Sequence, residues 1–138
     1  MASSAAANPI RKEVQFSDLG VSFTPHPVTG KPVVKKNAAA ITGALKNLIL
    51  TNRYERPYEP TFGSDIQNRL FENFDAVEAI NLEEDIRLAI ENHEPRVEVQ
   101  DITVIGGLDN NTVSVNVVFF IVNEAEPQEL KIQIERTR

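Results

Sequence analysis

Glu94-Pro95-Arg96 sets a carboxylate and a guanidinium on either side of a proline. Proline biases the residue before it away from the α region, so Glu94 is expected to be extended. With Arg96 extended as well, the two side chains project to the same side of the backbone. Such a pair can close on itself, as a surface ion pair worth at most about 1 kcal/mol, or it can present both charges to a partner. A second concentration of charge and aromatic rings lies at Arg53-Tyr54-Glu55-Arg56-Pro57-Tyr58. Tyrosine and arginine are enriched at interface hot spots, though the same side chains could simply brace a long surface connection. The candidate protein-binding residues are therefore Glu94, Pro95 and Arg96, with Arg53, Glu55 and Arg56 as a second set.

Other chemistry finds little footing. Twenty acidic residues make a carboxylate pair conceivable, and glycoside hydrolysis needs only two at a fixed separation, but no spacing selects a pair. Glu83, Glu84 and Asp85 are explained as first-turn residues favoured by a helix dipole. Gly106-Gly107 follows a strand pattern and leads into another strand, not the helix that a phosphate loop requires. Without cysteine there is no thiolate, disulfide or cysteine nucleophile. Of the two histidines, His26 sits between prolines. His93 lies on an apolar helix side without a histidine or carboxylate at i+4, which favours a buried or capping role over metal ligation. No catalytic residue, metal or cofactor is expected.

The elements that must position these residues can be read from composition and periodicity. At 138 residues, 41% hydrophobic and 25% charged, the chain fits one globular domain with one core. A net charge of −6 argues against nonspecific nucleic-acid binding. No apolar run reaches the roughly 18 residues of a membrane helix. Residues 1–11 read as a flexible arm and 12–138 as a single domain. Within it, 12–36 read as irregular with short extended pieces anchored by Val14, Phe16, Leu19, Val21 and Phe23, with a short strand at Val33-Val34. Asn37 is a plausible cap for a first helix whose apolar residues Ala38, Ile41, Leu45, Leu48 and Ile49 recur at helical spacing and whose pattern stops near Thr51-Asn52. Prolines and a glycine exclude regular structure up to Gly63. Ser64 is expected to cap a second helix with Ile66, Leu70, Phe71 and Phe74 on one face. Asn81 with Glu84 resembles a capping box for a third, ending near His93, with Leu82, Ile86, Ala89 and Ile90 inward.

Beyond Arg96 the pattern changes to strands. Val97 and Val99 alternate, but Ile102 and Val104 have the opposite parity, so a bulge between Val99 and Ile102 is expected. A turn at 106–111 precedes strict alternation at Val113, Val115, Val117, Phe119 and Ile121. A further turn at 123–128 leads to Leu130, Ile132 and Ile134. Short connections predict an antiparallel meander, and one apolar face predicts helices packed over it. The fold class is α+β: N-terminal helices on a C-terminal three-stranded sheet.

The order of these pieces resembles the baseplate wedge family of contractile-tailed phages, the sheath initiators, which is shared with a baseplate component of type VI secretion systems. The residues that carry the resemblance are Phe16-Ser17-Asp18-Leu19, Ala40-Ile41 through Leu48-Ile49-Leu50-Thr51, Glu55-Arg56-Pro57, Phe62-Gly63-Ser64, Leu70-Phe71 and the Glu94-Pro95-Arg96 corner. The resemblance implies a non-enzymatic structural protein of the virion tail, assembled in the host cytoplasm, with six copies around the tail tube. It implies sheath subunits and other wedge proteins as partners, with the tube as a further candidate, and a C-terminal sheet that templates the first sheath ring by strand addition. Some members carry a lysozyme-like label. The enzyme alternative is thus a peptidoglycan hydrolase acting during host cell penetration, and a generic adaptor domain is the other alternative.

Overall fold

The computed structural model describes residues 16–20, 24–69, 75–107 and 112–135. The arm at 1–11, the anchors Val14, Val21 and Phe23, the helix-two residues Leu70, Phe71 and Phe74, and positions 108–111 of the first turn lie outside the described residues. The elements run β1 (Ser17–Leu19), β2 (Val34–Lys36), α1 (Ala38–Leu50), α2 (Ile66–Arg69), α3 (Ala76–His93), β3 (Val97–Gly107), β4 (Thr112–Ile121) and β5 (Gln128–Glu135). Strands β1 and β2 form a small antiparallel pair, while β3, β4 and β5 form a separate antiparallel sheet in chain order. The α+β class and the meander follow the periodicity.

The parity conflict in β3 resolves as expected. Val99 faces Phe119, and the next residue of β4, Val118, faces Asp101, so Gln100 is the extra residue of a bulge. The inserted residue returns Ile102 and Val104 to the face already held by Val97. That face, with Val115, Val117, Phe119 and Ile132, is buried against Ile41, Leu45 and Ile49 of α1 and Leu82, Ile86 and Ile90 of α3 in one continuous core. Each fully buried aliphatic side chain contributes about 1.5–3 kcal/mol. The alternation in β4 and β5 is therefore the main source of the sheet's register as well as of its stability.

Three helix starts differ from the reading of the sequence. Asn37 makes no side-chain cap; its φ is +49° and its carbonyl accepts from Ala40 and Ile41. Its amide side chain is occupied elsewhere, since Oδ1 accepts from the Phe16 N–H at 3.3 Å and prolongs the β1–β2 ladder. Ser64 does not cap α2 either. It is fully buried, and its Oγ donates to the Ile49 carbonyl at 2.5 Å. Helix α3 begins five residues before Asn81: Asp75 is the cap and accepts from the Glu78 N–H at 2.8 Å. The first turns of α3 point Val77 and Ile80 to solvent, 64% and 62% exposed. Helical periodicity becomes visible in a sequence only where one face is buried, here from Leu82. Leu19, expected as an anchor, is exposed on β1, whereas Phe16 packs against the core.

Candidate functional site

The corner is built by the end of α3. The Glu94 N–H still donates to the Ile90 carbonyl at 2.8 Å, closing the last helical turn, and Pro95 has no N–H with which to continue it. The Glu94 carbonyl then accepts from Val97 N–H at 3.2 Å, so Glu94-Pro95-Arg96-Val97 is a tight turn. Arg96 therefore belongs to the turn, and the strand opens at Val97. Glu94 has φ −129° and ψ 74°, short of a full strand conformation. The turn brings the two charges together more closely than extension would. Arg96 Nε meets Glu94 Oε1 at 2.5 Å and Nη2 meets Oε2 at 2.6 Å, a bidentate pair.

The pair lies mostly inside the protein, with the Glu94 side chain 8% exposed and that of Arg96 32%. The Arg96 guanidinium also lies over the Phe16 ring at 5.6 Å. Its pKa is raised above the ordinary arginine value, first by the hydrogen bond to Glu94. Desolvation opposes that shift, while the charges of Glu94 and Asp18 add to it. The Arg96 carbonyl accepts from Val122 N–H at 3.0 Å, which ties the turn to the end of β4. The corner thus joins α3, Phe16 just ahead of β1 and the sheet.

The 53–58 loop hangs from a different joint. Gly63, at φ +110°, lies so close to the end of α1 that a Cβ there would fall 2.2 Å from the Thr51 carbonyl oxygen. This approach lets the Ser64 N–H donate to the Thr51 carbonyl while Ser64 Oγ and Gln67 Nε2 donate to those of Ile49 and Leu50. The carbonyls that α1 leaves open at its end are closed by the far side of the loop. Within the loop, exposed Glu55 folds back on the loop's own backbone and accepts from Asn52 N–H at 3.0 Å. Arg56 stacks on the Phe62 ring at 3.8 Å, and Arg53 reaches Asp85 on α3 at 3.7 Å. Tyr54 and Tyr58 point into solvent, and Tyr54 is held at φ +66° with its N–H on the Pro60 carbonyl. A bulky residue is rarely found at positive φ, and it persists only where its surroundings impose it.

His93 is the hinge between loop and corner. Its Nε2 donates to the Thr61 carbonyl at 3.1 Å, and its ring meets the edge of Phe62 with centroids 5.1 Å apart. It is half-buried and holds the loop instead of capping its helix. A cleft opens on each side of it. One is lined by Asp18, Asn47, Arg56, Phe62 and Glu94, which brings two of the sequence-predicted residues together. The other is lined by Arg53, Tyr54, Pro60, Leu88 and Asn92. Periodicity missed Phe62, Asp18 and the brace in which Arg69 binds Glu78 at 2.8 Å and Asp85 at 2.5 Å. The brace has no signal in the sequence, because its members are 9 and 16 residues apart.

Residues 35–137 match the family described as baseplate wedge protein gp25. Baseplate wedge protein gp25 of Enterobacteria phage T4 is 32% identical over 96 residues, covering 69% of this chain and 73% of that protein. Among solved structures, a Geobacter sulfurreducens protein labelled a candidate tail lysozyme has a TM-score of 0.61 at 19% identity, covering 71% of this chain and 89% of that one. A chain of the anti-feeding prophage baseplate, determined by cryo-electron microscopy with sixfold symmetry imposed, has a TM-score of 0.61 at 18% identity and covers 86% and 83%. A chain of the type VI secretion baseplate complex has a TM-score of 0.57 at 16% identity and covers 68% and 89%. The structural likenesses establish a shared fold.

Proposed function

The chain belongs to the baseplate wedge protein gp25 family and is thus a baseplate wedge component; from that premise we propose that its C-terminal sheet templates sheath polymerisation by strand addition. The observation that carries this reading is an antiparallel sheet that ends, among the described residues, in an edge strand without a neighbour. Such an edge offers backbone donors and acceptors to an extended segment, here an arm of a sheath subunit.

Residues 12–138 act as one wedge domain. Six copies surround the tail tube in a virion assembled in the host cytoplasm, a number in keeping with the sixfold symmetry of the related prophage baseplate. Glu94, Pro95 and Arg96, with Arg53, Glu55 and Arg56, form the surface that docks other wedge proteins. The corner supplies shape there, and the loop supplies contact. The role is structural and not enzymatic. Asp18 and Glu94 do line one cleft, but both Glu94 oxygens are taken by Arg96, leaving neither for proton delivery to a glycosidic bond.

Purified protein added to sheath subunits of its own tail should nucleate sheath, scored by electron microscopy, and should release no soluble peptidoglycan fragments between about pH 4 and 8. Peptidoglycan turnover without sheath nucleation would reverse the assignment.

A further inference from the structure

We infer that the sheet can be extended at β5 only, because Glu83 of α3 closes the opposite edge. The inference rests on the strand-addition reading above and identifies the acceptor. In a strand, the N–H and C=O of one residue point to the same side, and successive residues alternate. The Val104 N–H donates to Glu83 Oε1 at 2.9 Å, so it points away from β4. Val104 faces Val115, and this pair is therefore the non-hydrogen-bonded kind. Val115 must turn its N–H and C=O to β5, where it faces Ile132. Ile132 is thus bonded inward, and the backbone groups of Glu129, Lys131, Gln133 and Glu135 point outward.

The two edges differ in the continuity of the ladder and in whether an outward donor is already taken. On β3 the Gln100 bulge interrupts the ladder, and the Glu83 carboxylate occupies the outward N–H of Val104. On β5 the register runs from Gln128 to Glu135 without a shift. Lys131, the charge best placed to discourage an incoming strand, is paired with Glu129 at 3.2 Å. Leu130 and Ile132 are buried on the inner face, and Ile134 is half-buried beside them. The strand that fits is an extended segment with apolar residues at alternate positions, which would continue this face past β5 and cover Ile134. Growth from the subunit is therefore one-directional.

Lys131→Pro and Gln133→Pro each delete one outward donor that the ladder does not use, a position where an edge strand tolerates proline. Capture of purified sheath subunits should fall at least tenfold in each folded proline variant and should not fall in Glu83→Ala, which leaves the β5 edge intact and frees an outward donor on β3. In the isolated wild-type protein the amides of Lys131 and Gln133 should exchange rapidly, while that of Val104 is protected and loses at least tenfold of its protection in Glu83→Ala. Undiminished capture by both proline variants, or slow exchange at Lys131 and Gln133, overturns the edge assignment. If the wild-type protein captures no sheath subunit, the sheath reading fails, and amide exchange alone decides which edge is open.

Discussion

The Glu94–Arg96 corner and the 53–58 loop lie on either side of His93, and they differ in what they leave exposed. At the corner a bidentate pair is turned inward, with Glu94 almost wholly buried and the arginine over Phe16. In the loop Glu55 is spent on its own backbone, Arg56 lies on Phe62, and a tyrosine at positive φ is 82% exposed. Charge density in a sequence does not separate the two roles. A pair that closes on itself fixes geometry, whereas a strained and exposed ring is available for contact.

The comparison can be broken most forcefully at the joint that holds the loop. Gly63→Ala places a Cβ against the Thr51 carbonyl at a φ that alanine resists, and should cost about 3 kcal/mol or more. Thermal unfolding should then fall by about 10 °C. An unchanged midpoint would mean that the joint relaxes freely. Next come the single corner variants. Arg96→Ala strands a carboxylate that is 8% exposed and should destabilise by roughly 2–3 kcal/mol in denaturant unfolding. Glu94→Ala leaves a guanidinium that is one-third exposed and can reach water, so its cost should be the smaller of the two, about 1 kcal/mol. The reverse order would contradict an inward-facing pair. Removing both groups together should recover much of the loss, since neither charge is then left unpaired.

The loop variants should scarcely move stability. Tyr54→Gly removes the conformational strain while loosening the unfolded chain, for a net change under about 1 kcal/mol, yet it should weaken pull-down of wedge partners. Arg56→Glu should leave the fold intact and reduce the same pull-down. Unaltered pull-down by both would reassign the loop to bracing alone.

How much of this was legible in the chain depends on whether a feature is periodic. The β4 and β5 alternation, the β3 bulge and the inward face of α3 repeat at intervals of two or between three and four, so burial leaves a trace in the residue order. The start of α3 left none, because Val77 and Ile80 face water. Asn37 and Ser64 are residue types that cap helices, but their oxygens found closer backbone partners across the chain. The corner was visible as a proline stop flanked by charges. Its closure into a bidentate pair depends on a turn at Glu94 that the charges alone do not specify.

Electron microscopy of the assembled baseplate at side-chain resolution tests the division of labour most directly. A neighbouring wedge protein should lie against Tyr54 and Arg56, with the Glu94–Arg96 pair still closed. A map in which Arg96 has left Glu94 for a carboxylate of another chain, while Tyr54 and Arg56 face solvent, would contradict it.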